Sequence, residues 1–136
     1  MDYITKITIL IGAVTGYLFG GFDTLVQVII VLSILDYISG IIAAYVNSEL
    51  KSKVGFKGIA KKVMLFLLIA AATWVDRALG THAMFRDATI FFFIGNELLS
   101  LIENAGRSGV PVPDVLKNAV AVLKSKADLQ QGDKEQ

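Results

Sequence analysis

From Thr24 to Val46 the chain is almost wholly apolar, interrupted by Gln27 and, near the middle of the run, by Asp36. At about 1.5 Å per residue, a helix of this length crosses the ~30 Å hydrocarbon core of a bilayer. A carboxylate inside such a helix has to be paired, hydrated or protonated. This one segment sets the expectation of an integral membrane protein with a polar feature held at depth.

Three further runs extend that reading. Residues 3–22 are apolar apart from Lys6 and small polar residues, with Tyr3, Tyr17 and Phe22 suited to interfacial depth. Gly20-Gly21-Phe22-Asp23 is expected to turn the chain directly into the second run. Residues 61–80 reach spanning length when Asp76 and Arg77 pair near the far end. Residues 85–103 begin with Arg86-Asp87 and contain Asn96-Glu97, so they insert best as a hairpin with the preceding helix. The apolar fraction of 54% matters less than this block arrangement. The start lacks a small-residue cleavage pattern and is expected to remain as the first span.

The sequence thus predicts an all-α integral membrane protein of four transmembrane helices with a cytoplasmic amphipathic helix at the C-terminus. The transmembrane unit is expected over residues 1–104, with spans 3–22, 24–46, 61–80 and 85–103. Residues 105–136 hold a breaker-rich loop, an amphipathic helix from Asp114 to about Ala127, and a polar tail. With both termini in the cytoplasm, every lysine and Arg107 fall on the cytoplasmic side, and only Arg77 and Arg86 lie outside. Three spans would strand the C-terminal positive charges outside.

Residues 47–62 are basic, with Lys51, Lys53, Lys57, Lys61 and Lys62 interleaved with Val54, Phe56 and Ile59. Two readings stand: a helix lying along the membrane surface with its lysines in water, or a solvated connector. Gly12, Gly16 and Gly20 recur every four residues, and Gly40 and Ala44 repeat the spacing. Small residues at this spacing let helix backbones approach closely in lipid. The contact is either between copies of the chain or within one copy. Asn96, Glu97, Ser100, Glu103 and Asn104 form a polar stripe on an apolar helix, which either lines water or is buried between helices. Asp36 carries the same pair of readings, a charged functional group or a neutral interhelical hydrogen-bond partner.

Several function classes are excluded. There is no cysteine and a single histidine, His82, so thiolate metal sites and His-based catalytic constellations have no ligands or base. A net charge of +1 gives no reason to expect nucleic-acid binding. No cofactor, metal site or enzymatic activity is expected.

Three segments and a loop carry a resemblance. They are Leu35-Asp-Tyr-Ile-Ser-Gly-Ile-Ile42, Ser52-Lys-Val-Gly-Phe-Lys-Gly-Ile-Ala-Lys-Lys-Val63, Asn96-Glu-Leu-Leu-Ser-Leu-Ile-Glu-Asn104 and Gly109-Val-Pro-Val-Pro113. In this order and spacing the chain resembles the toxin secretion/phage lysis holin family over nearly its whole length. The resemblance implies accumulation in the bacterial cytoplasmic membrane, homo-oligomerisation, and lesions that let a cytoplasmic endolysin, or a toxin, escape. No direct contact with the endolysin is implied. Carried over by position, Asp36, Gly40, Lys53, Gly55, Lys57, Asn96, Glu97, Glu103 and Asn104 match the family signature. The methionine after Met1 is Met64, so the second nearby start that times lysis in some holins is missing. A small transporter or ion channel, and a membrane scaffold that forms no pore, are the alternative readings.

Overall fold

The computed structural model describes residues 1–119, 121 and 122, and all their regular structure is helical. Four helices follow one another: α1 (Tyr3–Phe19), α2 (Thr24–Val46), α3 (Ser52–Leu79) and α4 (Met84–Arg107). Residues 114–119 form further helical turns where the amphipathic helix is expected. Val120, positions 123–127 of the expected helix and the polar tail lie outside the described residues.

Local chemistry sets the helix ends. Asp2 and Asp23 cap α1 and α2, accepting hydrogen bonds from the backbone N–H groups of Thr5 (2.9 Å) and Val26 (3.2 Å). α1 stops at Phe19, short of the expected end at residue 22, because Gly20 adopts the left-handed conformation at φ 75°. Its N–H bonds back to the Gly16 carbonyl and the Gly21 N–H to the Thr15 carbonyl, closing the helix as glycine caps do. α3 is longer than its expected span: the basic stretch from Ser52 to Lys62 is the first part of the same continuous helix.

α4 has no cap of its own, since Ala83 occupies the N-cap position. Asp76 of α3 supplies one. Its carboxylate accepts from the N–H groups of Phe85 (2.9 Å) and Arg86 (2.7 Å) and from the Thr81 hydroxyl (2.6 Å). Asp76 and Arg77, expected to pair, therefore separate. Arg77 donates instead to the carbonyls of Gly16 and Tyr17 at the end of α1 and stacks on Trp74.

α2, α3 and α4 pack along heptad-like stripes, and each stripe changes character along its length. In α2 the buried positions run Val26, Ile29, Ser33, Asp36, Ala43 and Ala44. In α3 they run Leu65, Ile69, Thr73 and Asp76, and in α4 Arg86, Ile90, Glu97 and Asn104. Val26, Ile29, Leu65, Ile69 and Ile90 meet as an apolar layer. Polar layers lie above and below it. The outer surface is the reverse, with Val31, Ile34, Ile42, Leu67, Phe91 and Phe92 among many exposed apolar side chains. Water-soluble monomers rarely expose a contiguous apolar patch above a few hundred Å². A lipid solvent accounts for an apolar exterior around a polar interior. α2 and α3 are each long and apolar enough to cross a membrane, and α1 is a shorter apolar helix.

Candidate functional site

The lower polar layer is an ion cluster assembled from three helices. The Lys62 ammonium, one α-helical turn before Leu65 on the buried stripe of α3, donates to both the Asp36 carboxylate of α2 and the Glu97 carboxylate of α4. Glu97 is 3% exposed and Asp36 7%. The Lys62 side chain, 18% exposed, is the most accessible member. Asn104 completes the cluster by donating to Asp36 Oδ1 (3.0 Å) and to the Ser39 hydroxyl (3.0 Å). Ser39 in turn donates to the Asp36 carbonyl (2.9 Å).

Glycines make room for this arrangement. A Cβ at Gly40 would sit 3.5 Å from the Asn104 amide nitrogen, so the small residue lets α4 bring Asn104 against α2. At Gly58 a Cβ would lie 3.1 Å from the Tyr37 ring, and at Gly55 3.4 Å from the Tyr37 hydroxyl. These two glycines let the basic part of α3 lie against α2 beside Asp36. Two clefts lead to the cluster. One, of about 230 Å³, includes Gly40, Glu49, Lys61 and Arg107 in its walls. The other, of about 320 Å³, includes Asn96 and Ser100. Asp36 and Lys62 line both.

With all three groups ionised the cluster holds two carboxylates and one ammonium, an excess of one negative charge. Charges taken out of water are tolerated when paired and hydrogen-bonded, and removing one partner is strongly destabilising. The cluster is therefore a place where small changes in packing or charge have large effects.

The other polar layer lies at the end carrying the α1–α2 and α3–α4 turns. The Arg86 guanidinium, on a residue 4% exposed, makes a two-pronged bond to Asp23 (2.9 and 2.7 Å) and bonds Asp87 (2.8 Å) and the Phe19 carbonyl. One side chain so ties the α1 end, the α2 cap and the start of α4. The Arg86 hydrogen bonds hold the Asp23 carboxyl below the usual carboxylate range. Arg86 and Glu97 are separated by 11 positions on α4, which places the two polar layers about 16 Å apart along the helix.

The polar stripe on α4 does not face one way. Glu97 and Asn104 point into the bundle, Ser100 is half-buried, and Asn96 and Glu103 are exposed. Lys62, grouped by sequence with the membrane-surface lysines, instead sits in the buried cluster, whereas Lys51, Lys53, Lys57 and Lys61 are exposed. Ala44 is buried, and Gly20 caps α1 outside its helix. Gly12 and Gly16 stand in open space, with no atom within 4 Å of where a Cβ would be.

Comparison with known proteins gives the family. The bacteriophage holin family matches residues 13–125. The chain belongs to the bacteriophage holin family. An uncharacterized protein of Listeria innocua is 50% identical to it over 100% of this chain and 95% of its own length. A second uncharacterized protein, from Listeria monocytogenes, is 49% identical over 93% of this chain and 91% of its own. A protein of Bacillus phage phi105 described as a probable holin is 34% identical over 83% of each chain. No solved structure matches. Membership of the holin family, with the apolar helices α2 and α3, makes this chain a membrane protein without enzymatic function.

Proposed function

We propose that the chain is a holin that oligomerises in the bacterial cytoplasmic membrane and opens lesions through which an endolysin, or a toxin, escapes. The observation that carries this reading, beyond family membership, is the Asp36–Lys62–Glu97 cluster. It is a buried ionic layer in a bundle whose exterior is apolar. All four helices cross the membrane in the proposed topology, with both termini in the cytoplasm. The Arg86 layer then lies at the outer face and the Lys62 cluster within hydrocarbon depth.

In the single subunit the polar groups of the cluster satisfy one another, which is the closed form. Assembly through the open Gly12 and Gly16 face accumulates subunits. At a critical density the helices separate at the cluster and turn Asp36, Asn96, Glu97, Ser100 and Asn104 toward water, lining a lesion between many subunits. An unbalanced charge at depth also responds to the membrane field, at about 2.3 kcal/mol per full charge crossing per 100 mV. Collapse of the potential therefore biases the remaining subunits toward the same change.

The two clefts meeting at Asp36 and Lys62 favour one alternative, a small ion channel or transporter that uses these carboxylates as a coupling site. Inducible production beside a cytoplasmic endolysin separates the two. The holin reading expects abrupt, timed loss of culture turbidity that requires the endolysin. Steady ion leakage with no endolysin-dependent lysis would overturn it.

A further inference from the structure

α3 carries a basic stripe that the ion cluster does not use. Lys53, Lys57 and Lys61 are exposed and four residues apart, so they fall on one side of the helix in steps of about 6 Å. Asp76, near the far end, is the first acidic residue of α3. Among the described residues, no ion pair joins these three lysines to a carboxylate. Glu49 is engaged by Arg107, and Glu103, exposed on the Asn96 side of α4, still leaves the stripe a positive surplus.

Lys61 stands at the level of the cluster, since it adjoins Lys62. The Arg86 layer is about 16 Å away, so in the proposed topology Lys61 leaves its helix near the middle of the ~30 Å hydrocarbon core. Helical side chains lean toward the N-terminus, which for α3 is the cytoplasmic end. The half-thickness left to cover still exceeds the length of a lysine side chain. An exposed charge at that depth is costly unless the bilayer thins and headgroups or water come to meet it.

Beside Lys61 the seam between α3 and α4 changes from polar to apolar. The cleft of about 320 Å³ has Lys61, Asn96 and Ser100 toward the cytoplasmic end and Leu68 and Phe93 toward the other. A second cleft, of about 430 Å³, shares Leu68 and Phe93 and continues past Phe92 to Phe85. From Ser100 to Phe85 the seam extends about 22 Å along α4, longer than one leaflet's half of the hydrocarbon core.

We propose that this seam holds an anionic phospholipid of the cytoplasmic leaflet, with its phosphate at Lys61 and an acyl chain along Leu68, Phe93 and Phe92. Any lipid can fill the apolar part. The headgroup is selected by charge, because the stripe offers ammonium groups in succession, and basic pockets between membrane helices on the cytoplasmic side take anionic headgroups. Lys57 and Lys53 extend the same attraction to the membrane surface. A headgroup held at this depth thins the cytoplasmic leaflet beside the Asp36–Lys62–Glu97 cluster. The inference rests on the four-span topology above and adds to it the lipid that the topology requires.

Trp74 is the chain's single tryptophan, so Trp74→Phe with Phe92→Trp places one reporter on the seam. This protein is reconstituted in phosphatidylcholine vesicles containing equal small fractions of either phosphatidylglycerol or phosphatidylcholine with brominated acyl chains, which quench a tryptophan they touch. The proposal expects stronger quenching by the brominated phosphatidylglycerol. Adding Lys61→Gln lowers that preference about fivefold, the worth of one lysine beside an anionic surface. Lys51→Gln removes the same charge at the N-cap of α3, off the stripe, and leaves the preference near its original value. Equal quenching by the two lipids, or a preference unchanged by Lys61→Gln, would overturn the site and leave the topology standing. Equal losses in Lys51→Gln and Lys61→Gln would overturn it in favour of general surface attraction. Absence of quenching by either lipid would take α4 out of the bilayer and overturn the topology together with the site.

Discussion

Lys62 on α3 donates a hydrogen bond to the Glu97 carboxylate on α4, and the same ammonium holds Asp36 on α2. One cation thus joins three helices, and Asn104 of α4 adds a hydrogen bond to the Asp36 carboxylate at the same level. In the proposed mechanism, this cluster is the junction whose loss separates the helices.

Lys62→Met leaves two buried carboxylates with no cation between them. Removing one member of a buried ion pair costs about 3–5 kcal/mol. The variant is expected to unfold at lower temperature in detergent micelles and, when produced in cells, to trigger lysis earlier than wild type. An unchanged lysis time at equal membrane abundance would count against the cluster as the closing contact.

Glu97→Gln removes the excess charge while keeping the shape of the side chain, so lysis time is expected to shift. Glu103→Gln, on an exposed position of the same helix, is expected to have the smaller effect. Lysis time after induction measures both. Wild-type timing and lesion size in both variants would refute a role for the stripe.

The Arg86–Asp23 contact carries a pH dependence with a definite sign. The Asp23 carboxyl is held below its ordinary value by the Arg86 hydrogen bonds. A group depressed on folding adds stability that is fully present above its unfolded value, about 3.9, and is lost as pH falls through the folded value. Thermal stability in micelles should therefore show no contribution from this pair between pH 7 and 5, and a loss in stronger acid that Asp23→Asn lacks. Identical acid profiles for the two proteins would contradict the assignment.

Gly58→Ala places a Cβ 3.1 Å from the Tyr37 ring. Overpacking costs about 1–3 kcal/mol, more than the roughly 0.5–1 kcal/mol that alanine gains over glycine inside a helix, so a net loss is expected where the Tyr37 ring cannot give way. Trimming the ring with Tyr37→Leu should recover part of the loss, and a double-mutant cycle of melting temperatures measures the coupling. Additive effects would place the two residues out of contact.

The apolar runs of α2 and α3 and the polar residues within them were legible in the sequence, because a charge in an apolar helix stands out. Asp36 on α2, and Glu97 and Asn104 on α4, stood out as polar residues on apolar helices, and the structure brings the three together. Lys62 did not stand out, because it closes a run of lysines and reads as one more surface charge. Helical phase separates it from its neighbours: Lys62 lies three residues before Leu65 and on its stripe, whereas Lys61 turns outward. Gly58 had the same kind of signal and was missed beside Gly55. Arg86 looked like a charge beside Asp87, but its main partner, Asp23, is 63 positions away, and no local pattern reveals such a pairing. Gly20 continued the four-residue spacing of Gly12 and Gly16, yet its left-handed backbone ends the helix before it.

The most direct measurement uses purified protein in vesicles loaded with both a small dye and a folded enzyme, at rising protein-to-lipid ratios. The account predicts that above a threshold ratio the enzyme escapes together with the dye, and that Gly16→Leu raises the threshold. Dye escape with the enzyme retained at every ratio would contradict a lesion-forming holin and place the chain among small channels.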